Sequence, residues 1–108
     1  MAKLEKKIKG NFEEILKKIE EGIIRGSISV TLEDSSDFII GKSKCSVRVF
    51  ERYSAIGSNR VSLSVTLFQN NNSEIYISAI ASGGSQGIIF KVNTLGENAF
   101  LNKLEEIL

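Results

Sequence analysis

Histidine, proline and tryptophan are missing from this sequence, and cysteine occurs once, as Cys45. The lack of His removes the usual general base and the commonest transition-metal ligand. With a single Cys, a zinc site would have to be built mostly from carboxylates, so neither a metal nor another cofactor is expected. One Cys also excludes an internal disulfide and fits a reducing cytosol. Without Pro, the turns fall to Gly, Asn, Asp and Ser. Apolar runs are short, Ile88-Ile89-Phe90 for example, far below the ~20 residues of a spanning helix. The start, Met1-Ala2-Lys3-Leu4-Glu5, holds no apolar signal core, so a cytoplasmic location is expected. A net charge of +1 gives no basic field, so nucleic acid is not an expected partner and neither is a membrane.

What remains is an ordinary globular composition, 42% hydrophobic and 25% charged over 108 residues, enough for one domain with one core. Residues 2–9 alternate loosely as a strand, and Gly10-Asn11 ends it. Asn11-x-x-Glu14 is a capping-box-like helix start. Phe12, Ile15, Leu16, Ile19 and Ile23 then recur at helical spacing, with Gly22 and Gly26 bracketing the exit. From Ser27 the period changes to two. Strands are predicted at 27–32, 38–40, 45–52, 61–68, 75–81 and 88–92, with Asp34-Ser35-Ser36-Asp37 as a turn. Thr94-x-x-Glu97 opens a second helix carrying Phe100, Leu101, Leu104 and Ile107.

The order is β-α, then five or six strands and a last helix. Short links imply an antiparallel meander, and two helices on its apolar face make a two-layer α+β sandwich. This order is similar to helix-grip and TATA-binding-protein-like folds, an analogy that brings no function.

Pairing apolar residues with apolar ones sets Val49 opposite Leu63, Val47 opposite Val65 and Arg52 opposite Arg60. The same rule sets Leu63 opposite Ala79 and Arg60 opposite Ser82. Arg52, Tyr53, Asn59, Arg60 and the loop Ser82, Gly83, Gly84, Ser85, Gln86 then gather at one end, with Asp34 and Asp37 nearby. Facing arginines destabilise a strand pair unless something negative lies between them, and a Gly-Gly-Ser loop can turn backbone N–H groups towards an anion. The expectation is a phosphate- or carboxylate-bearing ligand gripped by Arg52 and Arg60. The alternative is that Glu51, Asp34 or Asp37 neutralises the arginines, in which case no ligand is required.

The outer sheet face is the second unusual feature. It reads as Ser27, Ser29, Thr31, Ser62, Ser64, Thr66 and Ser78, with Phe50, Phe68, Tyr76, Ile80 and Ile89 among them. Such a face suits docking, and a second copy is the simplest occupant; otherwise it is a solvated face of good strand formers. Glu51 falls on the inward parity, at a frayed or bulged strand end. Cys45 reads as a small core residue. No P-loop or dinucleotide fingerprint occurs, and no residue is singled out as catalytic.

Phe50-Glu51-Arg52-Tyr53-Ser54, Gly57-x-Asn59-Arg60-Val61-Ser62-Leu63 and Ser78-Ala79-Ile80-x-Ser82-Gly83-Gly84-Ser85-Gln86, with Phe90-Lys91-x-Asn93-Thr94-x-Gly96-Glu97-x-Ala99-Phe100, are motifs that cover nearly the whole chain. In these the chain resembles a family of small uncharacterised proteins of Gram-positive bacteria. The resemblance implies a bacterial cytoplasmic protein of about this length; it brings no activity and carries over no functional residue. The residues themselves point to a small binding or interaction module. A carrier of a small apolar ligand between sheet and helices, or an enzyme working through Arg, Glu and Tyr, are the other classes.

Overall fold

The computed structural model describes residues 2–26, 29–54, 59–83 and 104–108. The elements are β1 (Ala2–Ile8), α1 (Phe12–Gly26), β2 (Val30–Ile40), β3 (Ser43–Ser54), β4 (Asn59–Asn70) and β5 (Ile75–Gly83). A last helical turn lies at 104–107. The five strands form one antiparallel sheet in the order β1-β5-β4-β3-β2, so the class is α+β. The strand expected at 88–92 and the start of the final helix lie outside the described residues.

Asn11 caps α1, its side-chain oxygen accepting the Glu14 N–H at 2.9 Å, which satisfies one of the four orphan donors of a helix start. The helix runs on through Gly22 to Gly26, so Gly22 is no exit signal. Its reason is space: a Cβ there would lie 2.6 Å from Ile107 Cδ1, and the final turn could not approach. Phe12, Ile19 and Ile23 of α1 share one buried cluster with Val61, Leu63, Val65 and Leu67 of β4, Ile75, Ile77, Ala79 and Ala81 of β5, and Leu104. That apolar burial is the main favourable term in folding.

Two sequence expectations change here. Residues 34–37 are not a turn, and the two short strands flanking them are one, β2. It carries a bulge between Leu32 and Asp34, which switches its inward parity. Val30 and Leu32 face Arg52 and Phe50 before the bulge, whereas Ser35, Asp37 and Ile39 face Arg48, Ser46 and Lys44 after it. An inserted residue breaks the period of two, and a run of Asp and Ser at the break imitates turn chemistry. The loop expected near Arg60 is therefore mid-strand, and Asp34 and Asp37 lie along the strand.

The second change is register. β3 pairs with β4 as Phe50 with Leu63 and Arg52 with Val61, one residue from the expected alignment. A slip of one moves every β3 side chain to the other face. Phe50 is fully buried, and Cys45, Val47 and Val49 lie outward and half-buried. Sequence alternation favoured the valines because the competing inward set, Ser46, Arg48 and Phe50, contains a charge. β5 is offset by two, with Leu63 opposite Ala81 and Ser62 opposite Ser82, which preserves its faces.

Candidate functional site

The inward charge is satisfied rather than excluded. Arg48 is only 7% exposed. Its Nε donates to Glu20 of α1 at 2.8 Å, and its Nη1 lies 3.0 Å from Asp37 of β2 and donates to the Val47 carbonyl at 2.9 Å. Ser46 Oγ donates to the same Asp37 oxygen at 2.6 Å. Burial works to lower the Arg48 pKa, but the hydrogen bonds to Glu20 and Asp37 outweigh it and raise it. The Ser46 hydroxyl and then the Arg48 guanidinium hold Asp37 below its ordinary 3.8. This cluster ties α1 to β2 and β3, and composition alone gave no sign of it.

At the end where a ligand site was expected, the two arginines part. Arg52 shares the inward side with Val61 and Val30, where burial lowers its pKa from the ordinary range. Arg60 stands on the outer side opposite Tyr53, and its Nη1 lies 3.1 Å from Glu51. Arg52 is thus not opposite Arg60, nor Arg60 opposite Ser82, and an acid of the same chain neutralises Arg60. Glu51 is accordingly an outer-face residue, not an inward one. Among the described residues Tyr53, Arg60 and Ser82 share the outer face, Gly83 lies opposite Val61 and Asn59 opposite Ser54. Gly84, Ser85 and Gln86 lie outside the described residues. The space between α1 and the sheet is filled by Ile19, Ile23, Phe50, Leu63 and Leu67, all fully buried, which opposes the apolar-carrier reading.

The outer face is organised in cross-strand rows. One runs Lys7, Tyr76, Phe68, Cys45, Phe38; the next Glu5, Ser78, Thr66, Val47, Ser36; the third Lys3, Ile80, Ser64, Val49, Asp34. In these rows the three middle strands carry no charge, and the charges stand on the two edges: Lys3, Glu5 and Lys7 on β1, Asp34 on β2. Phe38, Phe68, Tyr76 and Ile80 are exposed. A depression of about 460 Å³ opens beside Phe68, Tyr76, Thr66 and Ser78. Lys7 Nζ lies 5.3 Å from the Tyr76 ring centroid, a cation–π contact. The sequence located the Ser and Thr positions of β4 and β5 on this face and misassigned Phe50 of β3, which is buried on the inner side.

Among the described residues no group of three or more Cys, Asp or Glu side chains could hold a metal ion, and no helix is long and apolar enough to cross a membrane. Comparison with curated proteins finds no match. The model of a family of unknown function (DUF6054) matches residues 1–108, and the chain belongs to that family.

Proposed function

We propose that this chain is a small interaction module that docks a second copy of itself on the outer face of its sheet. The observation that carries this is the row Lys3, Ile80, Ser64, Val49, Asp34, uncharged in the middle with opposite charges at its ends. A charge-poor centre with a charged rim is the usual anatomy of an interface. A two-fold axis parallel to the strands and over β4 lays β1 of one copy on β2 of the other. Lys3 then meets Asp34 of the second copy, twice. Face-to-face sheets pack within about 30° of alignment, a rotation that a lysine side chain spans.

Five strands ~4.8 Å apart and about seven residues deep at ~3.3 Å give roughly 500–600 Å² of face. A standard interface buries about 800 Å² on each side. The face is smaller than that, so the association expected is weak and concentration-dependent. Arg60 and Glu51 contribute rim: their pair is exposed, and such pairs stabilise by about 0–1 kcal/mol.

A charge exchange tests the arrangement. Lys3→Glu alone sets Glu against Asp34, and Asp34→Lys alone sets Lys against Lys3, so each variant is expected to self-associate several-fold more weakly. An equimolar mixture restores both attractions and should form a heterodimer near wild-type strength. A mixture no tighter than either variant overturns the arrangement, and a monomeric wild type overturns the reading itself.

A further inference from the structure

The two edges of the sheet are guarded differently. An edge strand presents unpaired N–H and C=O groups, and natural proteins blunt it with charge, bulges or proline. β1 places Lys3, Lys6 and Lys7 among its seven residues. β2 has its bulge and the acids Glu33, Asp34 and Asp37 over the first two thirds of its length. Its end has neither. Phe38, Ile39 and Ile40 are 59%, 72% and 78% exposed, three large apolar residues in a row with no β-partner but β3 among the described residues.

Beside this stretch, on the α1 side, lies a depression of about 180 Å³ whose walls include Phe12, Leu16, Phe38 and Ile39. Lys44 borders it, but its ammonium is taken by Glu13. A strand added to β2 would project alternate side chains to the two faces, and those on the inner face would reach this depression. Its volume suits one branched or aromatic side chain.

We propose that the edge of β2 is a strand-addition site for an extended segment of another protein. That segment is apolar where a side chain enters the depression beside Phe12 and Leu16, and basic where it passes Glu33 and Asp34. Main-chain hydrogen bonds supply affinity and the side-chain pocket supplies selectivity, as in other β-augmentation sites. A second copy's β2 laid along the full length fits poorly: the overlap that pairs Phe38 with Glu33 sets Asp34 against Asp37, and like charges directly opposite are destabilising.

The test is fluorescence polarisation of the full chain with labelled eight-residue peptides alternating Thr with Val or Ile. One pocket position is varied through Ala, Val, Leu and Phe, with and without two lysines at one end. Leu or Phe with the lysines should bind best, and Ala without them at least tenfold more weakly. N-methylation of alternate backbone nitrogens should abolish binding in one phase and spare it in the other. Ile39→Lys, at an exposed position, should keep the wild-type melting temperature and weaken binding at least tenfold. Absence of saturable binding up to millimolar peptide, or binding indifferent to N-methylation or Ile39→Lys, overturns the proposal. So does a change in the chain's own molecular mass on Ile39→Lys, which would give this edge to a second copy.

Discussion

Replacing Arg48 with alanine is expected to lower the unfolding free energy by about 2–4 kcal/mol, the range for breaking a buried pair reduced because the acids reach water. The guanidinium is buried, whereas Glu20 and Asp37 are about a third and a half exposed. Truncation leaves both carboxylates without their donor and opens a gap between α1 and β3. Arg48→Lys should recover only part of the loss, because an ammonium cannot reproduce the planar fork that reaches two carboxylates and a carbonyl at once.

The pH dependence has a definite sign. Asp37 has a depressed pKa in the folded state, so its contribution is complete above its ordinary 3.8 and fades as pH falls through the lower folded value. Urea denaturation at pH 7 and at pH 3 should show the gap between wild type and Arg48→Ala narrowing at the lower pH. A gap that is constant, or that widens in acid, would show that Asp37 is not bound to Arg48.

The second large effect is at Phe50. With its side chain fully buried against Leu63, Phe50→Ala is expected to remove about 3–5 kcal/mol. A domain of this size has about 5–15 kcal/mol in all. Val49→Ala, one residue away on the outer face, should remove about 1 kcal/mol or less. Equilibrium denaturation of the two variants reads the register directly. A one-residue slip would exchange the two values.

That contrast shows how much of the fold was legible. In β4 and β5 the alternation Val61, Leu63, Val65, Leu67 and Ile75, Ile77, Ala79, Ala81 is unbroken on one side, while Ser and Thr interrupt the other, so the inward face is decided locally. The helix start at Asn11 is equally local. β3 offers two comparable faces, and the choice between them depends on Glu20 and Asp37, which are distant in sequence and arrive only through tertiary structure. β2 hides a bulge behind a turn-like composition. The candidate site suffered from both errors, since the facing of Arg52 and Arg60 was inferred from the β3 register. The outer-face residues of β4 and β5 lie on the side expected of them, because the alternation in those two strands is decided locally.

Docking of two copies through that face can be decided by sedimentation equilibrium of wild type and Thr66→Arg. Thr66 lies in the middle of the second row, opposite Val47 and Ser78. A charge buried there without a partner opposes association and leaves the core of the monomer untouched. At millimolar concentration, wild type should sediment close to twice the chain mass of 11.9 kDa. Thr66→Arg should sediment as a single chain with a melting curve extrapolating to that of the wild-type monomer. A wild type that stays at one chain mass at millimolar concentration, or a dimer that Thr66→Arg does not disturb, would rule this docking out.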